Sequence, residues 1–364
     1  MPSHTELPNR YVPNLAVDHI MPDPLLRPHW WAGKYKKGRE LTLSKMASKM
    51  TLGVVVVAVS TLAVAPVVTA TVSHEKRNMK FASQRLKGRS IECTSENSGL
   101  ANSLTRDIAK SLENRASHAS VVLYDRTTHT SCTYRPDKHY DSASTVKPIV
   151  LGALLLEEGV PLSEDEQDLA RQMIVNSDND ATYALWDSLG PESIQNFLDK
   201  AGMKNTILDE AGFMGLTQVT ARDQAKLLEL LTAEDNSVLN AEERTYILGL
   251  MRDVEGDQRW GTPAGAPSDA AVQVKNGWLQ RSQKELKDPW DRGDWKVNSM
   301  SAFTGHAYDY GLVVLTENNR VPEDESSEAG WDYGMETVEG VAKAIHHDLY
   351  PDQTPPAAGR PGHL

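Results

Sequence analysis

Three short segments of the sequence combine hydroxyl, amine and amide side chains at spacings that permit chemistry. The first is Ser144-Thr145-Val146-Lys147, which opens an apolar stretch with helical character. Side chains three residues apart share a helix face, so the Lys147 amine can approach the Ser144 hydroxyl. The positive field at a helix N-terminus also favours negative charge there. A serine beside a base is an activated nucleophile, although this four-residue pattern alone often arises by chance.

The other two segments are individually unremarkable. Residues 177–179 (Ser-Asp-Asn) lie between two predicted helices, and all three residue types favour a helix N-cap. Residues 275–277 (Lys-Asn-Gly) end a predicted strand, where the glycine permits close backbone approach. Their order along the chain, with the Ser-x-x-Lys segment first, makes the combination far more specific than any single member.

The elements that must position these segments follow from hydrophobic periodicity and capping pairs. A helix is predicted over 97–116, a hairpin over 120–124 and 130–134, late strands over 271–278, 295–303 and 310–316, and a final helix over 334–349. Helices fill most of the interval between them. The predicted fold is mixed α/β, an antiparallel sheet formed from both ends of the body with an inserted, mostly helical subdomain. No G-x-G-x-x-G segment follows a strand, so a dinucleotide-binding fold is not indicated.

Taken together, the three segments resemble the motifs of the penicillin-recognising serine hydrolases, which include class A β-lactamases and DD-peptidases. The resemblance covers about residues 95–350 and extends beyond the motifs. The stretch from Asn176 to Gly202 looks like the family's second-motif helix and its successor, and the stretch from Val219 to Leu231 looks like the helix after the family's Ω-loop. The resemblance implies the family's β-lactamase/transpeptidase-like fold and an acyl-enzyme mechanism without metal or cofactor.

The resemblance also implies residue roles. Ser144 would be the nucleophile that attacks a β-lactam or a D-Ala-D-Ala amide, and Lys147 would help to deprotonate it. Ser177 and Lys275 would pass a proton to the leaving nitrogen, while Asn179 would bind the substrate's side-chain amide.

The third motif would complete the substrate site. Backbone N–H groups of Ser144 and Trp278 would form the oxyanion hole, and Lys275 with Asn276 would bind the substrate carboxylate beside Gly277. A small anionic substrate is therefore expected.

Three departures from the family pattern bear on activity. The third motif has Asn276 where Thr or Ser is more usual, and the segment between the first two motifs is short. The region between Gly202 and Thr220 lacks the E-x-x-L-N pattern that supplies the deacylating glutamate. Glu210, beside Asp209, could replace it or could be a solvated loop carboxylate. Impaired deacylation is thus expected, and a DD-carboxypeptidase, an esterase-like relative and a non-catalytic β-lactam or peptidoglycan sensor stay as alternatives.

Charge divides the chain into two parts. The net charge of −12 combines +9 over residues 1–89 (14 basic, 5 acidic) with −21 over residues 90–364 (24 basic, 45 acidic). An acidic body disfavours nucleic-acid binding, which needs clustered Lys and Arg. Residues 51–72 are uncharged and long enough to cross a bilayer, so they predict a cleaved signal peptide or an uncleaved anchor, and an exported body.

The predicted organisation has five parts. They are a basic tail over 1–49 (disordered, or preceding a true start at Met46 or Met50), the membrane-targeting segment 50–73, a polar linker over 74–92, a monomeric hydrolase domain over 93–351, and a Pro/Gly-rich tail over 352–364. Cys93 and Cys132 are the only cysteines. In an exported body they could form a disulfide or remain as free thiols. His346 and His347 lack further ligands at metal spacing, so no metal site is predicted.

Overall fold

Seven strands form one antiparallel sheet in the computed structural model, which describes residues 78–234, 237–280, 294–319 and 328–352. Two further strands form a separate ribbon. In chain order all the strands of the described residues are β1 (Lys80–Leu86), β2 (Arg89–Ser95), β3 (His118–Asp125), β4 (Thr130–Tyr134), β5 (His139–Asp141), β6 (Gln218–Thr220), β7 (Ala271–Gln280), β8 (Trp295–Gly305) and β9 (Tyr308–Asn319). The large sheet has the order β1-β2-β4-β3-β9-β8-β7, and β5 pairs with β6 in a separate ribbon. Strand β7, which carries the third motif, is therefore an edge strand.

Helices lie between and after these strands. They are α1 (Ser98–Glu113), α2 (Lys147–Glu158), α3 (Glu164–Val175), α4 (Asn179–Lys200), α5 (Ala221–Thr232), α6 (Ala241–Arg252) and α7 (Glu328–Leu349), with short 3₁₀ turns at Ala143–Val146, Met214–Leu216 and Gly256–Gln258. Helix α4 is interrupted at Gly190, which has a φ of 73° and is followed by Pro191. The early strands pair with the late ones through β3 and β9 while α2 to α6 form an insertion, so the predicted fold class is confirmed.

Helix α2 is the centre of the insertion because it is apolar on every side. Its residues from Lys147 to Leu155 are all buried, as expected for a helix without a polar face. The core that surrounds it joins α2 to α6 to one face of the sheet, whereas a second core lies between the opposite face and helices α1 and α7. The first residue of α2 is Lys147, so the fold itself removes this amine from water.

Capping residues fix where the inserted helices begin. Ser163 and Asn240 each form a capping box with the glutamate three residues later, and the Thr220 hydroxyl accepts from the Asp223 N–H at 3.1 Å. Each of these pairs leaves fewer unpaired N–H groups at a helix start.

The sheet begins earlier than the sequence predicts. Residues 80–92 belong to the hairpin of β1 and β2, so the prediction of a linker over 74–92 is wrong for this stretch. Only Ala82, Leu86 and Ile91 of these residues are buried, because the strands lie at the edge of the sheet and their outer face is polar. That composition hides the strand signal. Lys87 and Gly88 turn the hairpin with φ values of 50° and 77°.

Several predicted segments fall outside the described residues. They are the tail and membrane-targeting segment of 1–73 and the C-terminal tail beyond residue 352. Among the residues that are described, no helix combines the length and the apolar character needed to cross a membrane.

The disulfide between Cys93 and Cys132 links directly opposed positions of β2 and β4. We expect replacement of both cysteines by alanine to lower the free energy of unfolding by up to about 4 kcal/mol, because the cross-link closes a loop of 39 residues' separation. Urea unfolding under non-reducing conditions measures the loss. Addition of a reductant should destabilise the wild type and leave the double variant unchanged; equal responses would contradict the prediction.

Burial of His346 predicts a pH-dependent stability. Its Nε2 faces the Thr262 carbonyl at 2.9 Å and its Nδ1 faces the Tyr310 hydroxyl at 3.1 Å, and burial lowers its pKa to about 4. The unfolded state therefore takes up the proton first, so about 3 kcal/mol of stability is lost as pH falls from about 6.5 to about 4.

Thermal unfolding at pH 7 and pH 4.5 tests this loss. The variant His346→Gln should show a smaller decrease than the wild type, whereas His347→Gln at the adjacent exposed position should behave as the wild type does. Asp348, whose pKa burial raises to about 6, has the opposite effect in this window but is common to all three proteins. An unchanged pH dependence in His346→Gln would refute the assignment.

Candidate active site

The first motif lies at the junction of a 3₁₀ turn with α2. Ser144 is half-buried within the turn, and Ala143 before it has a φ of 47°. A non-glycine residue in this left-handed region stores local strain, which concentrates at functional sites. The turn thus places the Ser144 side chain at the N-terminal end of α2, whose residues from Lys147 to Leu155 are buried in the core.

The Lys147 amine joins the first motif to the second. Its Nζ donates to the Ser177 carbonyl, to Asn179 Oδ1 at 3.0 Å and to Ser177 Oγ at 3.2 Å. Within the described residues none of its hydrogen bonds goes to Ser144, which lies one helical turn away. Because Asn179 accepts through its oxygen, its NH₂ group is left as a donor.

Ser177 is where the second and third motifs meet. Its hydroxyl accepts from Lys275 Nζ at 2.9 Å as well as from Lys147. Its φ is 58°, a second strained non-glycine residue, and Asp178 beside it caps α4 by accepting from the Ala181 N–H at 2.7 Å. A single serine oxygen thus contacts two lysine amines, one 30 residues before it and the other 98 residues after it.

Burial lowers the pKa of both lysines. The pKa of Lys147 lies well below its usual value because the amine is buried and because Lys275 is near, with Asp178 acting in the opposite direction. Burial alone lowers the pKa of Lys275 to about 7. At neutral pH the pair therefore carries less than two full charges, and a neutral amine can accept a proton.

Gly277 brings the edge strand against the nucleophile. A Cβ atom at this position would lie 2.6 Å from the Ser144 nitrogen and 2.9 Å from the Ser142 carbonyl oxygen. Only glycine permits this approach. The backbone of β7 therefore runs beside the Ser144 N–H, the arrangement that an oxyanion hole between Ser144 and Trp278 would need.

Asn276 lies on the other face of β7 from Lys275 and Gly277, because side chains alternate along a strand. Its Nδ2 donates to the carbonyls of Gln258 at 2.8 Å and Trp260 at 2.9 Å. The predicted contact with a substrate carboxylate would compete with these bonds.

Trp278 shares that face with Asn276. Its ring packs with Trp260 and Trp331 at centroid distances of 5.8 and 6.4 Å.

The loop over 201–217 contacts the turn that carries Ser144 through its backbone and not through either of its carboxylates. The Ser142 hydroxyl donates to the Met214 carbonyl at 3.2 Å, and a Cβ at Gly215 would lie 3.6 Å from the Ala143 Cα. Asp209 accepts from two N–H groups of its own turn, at 3.0 and 3.1 Å. Glu210 is exposed, and among the described residues no side-chain hydrogen bond joins it to the three motifs.

Asp223, whose N–H is capped by Thr220, also anchors this loop through its side chain. Its buried carboxylate accepts from the Asn205 N–H at 2.7 Å and from the amine of Lys226 at 2.8 Å, and Lys226 also donates to the Gly202 carbonyl at 2.7 Å. An acidic residue three positions before a lysine in the first turns of α5 is a signal that could have indicated such an anchor.

Within the described residues no cluster of His, Cys, Asp and Glu could hold a metal ion. Both ring nitrogens of His346 are already hydrogen-bonded, to Thr262 and Tyr310, on the far side of the sheet.

Residues 161–329 match the model of the β-lactamase enzyme family. The match contains the second and third motifs, and the first motif precedes it. No curated protein matches the chain by sequence.

Solved structures share the fold. A class A β-lactamase representative from Bacteroides cellulosilyticus aligns with a TM-score of 0.55 at 14% identity, over 70% of this chain and 99% of that one. A β-lactamase from Desulfarculus baarsii aligns at 0.52 with 20% identity, over 69% and 97%. A variant of PBP-A, in an acyl-enzyme complex with penicillin G, aligns at 0.53 with 19% identity, over 68% and 96%.

The family match and these neighbours agree with the order of the motifs and with the convergence of Lys147 and Lys275 on Ser177. Residues 161–329 are therefore similar to the β-lactamase enzyme family, and the chain has the fold of the class A β-lactamases.

Proposed function

We propose that the protein acylates Ser144 with β-lactams or related D-Ala-D-Ala-type amides and releases the acyl group slowly. The convergence of both buried lysines on Ser177 carries this proposal, because it joins the three motifs into one proton-transfer unit. The PBP-A neighbour, which forms an acyl-enzyme with penicillin G, supports the same chemistry.

In the proposed acylation, the Ser144 oxygen forms a bond to the acyl carbon and the lactam C–N bond breaks. The serine proton passes to Lys147, whose lowered pKa suits a base. A proton then moves through the Ser177 hydroxyl to the leaving nitrogen, and Lys275 restores it. The N–H groups of Ser144 and Trp278 stabilise the oxyanion, a contribution of about 3 kcal/mol for each donor.

The loop over 201–217 supports the slow second half-reaction. Hydrolysis of an acyl-serine needs a base that orients and deprotonates water. In this loop Asp209 is committed to its own turn and Glu210 is exposed, while backbone of Met214 and Gly215 lies against the nucleophile's turn.

A non-catalytic sensor is the second candidate, and the same loop favours it. A domain that acylates but does not deacylate reports the presence of a β-lactam rather than destroying it. A DD-carboxypeptidase or an esterase-like relative would instead release the acyl group from a peptide or ester. We further propose an exported, monomeric protein, anchored through 51–72 if that segment is not cleaved; the disulfide between Cys93 and Cys132 fits an oxidising compartment.

Intact-mass spectrometry during incubation with penicillin G tests the proposal. We expect an adduct on Ser144 that forms in seconds to minutes and is released about a hundredfold or more slowly than it forms, because neither carboxylate of the loop over 201–217 is placed to activate water. Ser144→Ala should form none, and Ser188→Ala, at an exposed position of α4, should match the wild type. Rapid turnover would indicate an efficient β-lactamase, and absence of both adduct and turnover would refute the acylation proposal.

The lowered pKa of Lys275 predicts how acylation depends on pH. As pH rises through about 7, this amine loses its proton and with it the attraction for a substrate carboxylate. We expect the second-order rate constant for adduct formation, relative to that of penicillin G methyl ester, to fall about tenfold between pH 6 and pH 8.5. The ester lacks the carboxylate and shares every other step. A constant ratio would exclude Lys275 as the carboxylate's partner.

A further inference from the structure

We infer that Asn276 is a positioning residue that clamps the segment 258–262 onto the back of β7, and is not a ligand for the substrate carboxylate. This inference rests on the proposed acylation of Ser144. It assigns to the unusual residue of the third motif a role that its place in the motif does not suggest.

The Asn276 side chain points away from the face of β7 that contacts Ser144 and Ser177. Gly277 faces the Ser144 turn at contact distance and Lys275 reaches Ser177, so these two residues define the catalytic face of β7. The alternation of a strand sends Asn276 to the opposite face. The residue is fully buried there, against the segment 258–262 and not against Ser144 or Ser177.

The hydrogen-bond donors of the Asn276 amide are already occupied. An asparagine amide has two N–H donors, and both of them are engaged by the carbonyls of Gln258 and Trp260. Its Oδ1 is buried without a partner among the described residues. A carboxylate needs donors, so it would have to displace one of two bonds in a buried site, where a carbonyl left unpaired is costly.

The segment 258–262 carries Trp260, which packs against Trp278. Ser299, the cross-strand neighbour of Asn276 on β8, accepts from the Thr262 N–H at 2.9 Å. The two side chains therefore fasten consecutive parts of one segment to the sheet. Between them lies Trp260, whose ring packs at 5.8 Å from that of Trp278. Loss of the clamp would loosen the support of the Trp278 backbone, and with it the proposed oxyanion hole.

Asn276→Ala and Asn276→Thr, compared with penicillin G and its methyl ester, test the inference. A clamp requires both donors, so each variant should acylate about tenfold more slowly with both substrates alike and melt about 5 °C lower. Threonine has one donor on a shorter side chain and should not rescue. Ser299→Ala, which removes the neighbouring anchor, should produce a smaller loss of the same kind.

A carboxylate ligand would behave differently. In that case Asn276→Ala would slow acylation by penicillin G but not by the ester, and Asn276→Thr would restore it at an unchanged melting temperature. Either result overturns the inference, as does wild-type behaviour of both variants. If neither variant folds, a loss equal for both substrates in Ser299→Ala supports the clamp, and an unequal or absent loss overturns it. Absence of any adduct in the wild type would instead be a failure of the proposed function.

Discussion

The site depends on the removal of two lysine amines from water at one serine oxygen. Two ammonium groups that both contact Ser177 would repel each other strongly in a buried environment, and each would lose its hydration. The least costly state has at least one neutral amine. Burial lowers the pKa of Lys147 far below its usual value, with the nearby Lys275 acting in the same direction, and burial alone lowers the pKa of Lys275 to about 7. Desolvation therefore supplies a base at neutral pH without a histidine or a metal.

This desolvation follows from the topology. Lys147 begins a helix that is apolar on every side, so folding of the insertion carries the amine into the core. Lys275 lies on the edge strand β7, where Gly277 permits the strand to touch the Ser144 turn. An alanine at 277 would force the strand away from Ser144. The insertion and the edge strand thus meet at a contact that tolerates no side chain, and the proton-transfer unit forms only there.

The sequence predicts the fold well because the fold leaves strong signals. Periodicity marks the late strands, capping pairs mark the helices, and three motifs in order resemble those of the penicillin-recognising serine hydrolases. Sequence analysis misses what depends on three-dimensional surroundings. The hairpin of β1 and β2 is concealed by its polar outer face, the strained φ values of Ala143 and Ser177 have no signature in residue type, and the direction of Asn276 depends on which neighbours surround β7.

Electrostatics reconciles an anionic substrate with an acidic protein. The chain has a net charge of −12, which opposes the approach of an anion over long distances, but solution ions screen such distant charges beyond about 8 Å at physiological ionic strength. Inside the site the Lys275 amine, fully removed from solvent, acts at short range where screening is weak. Because Asn276 is committed to the segment behind β7, the proposed recognition of a carboxylate assigns the charge to Lys275 among the described residues. In the proposed function, the site would bind its substrate through a charge that pH can remove, while the hydroxyl and amide groups of the motifs stay fixed by the fold.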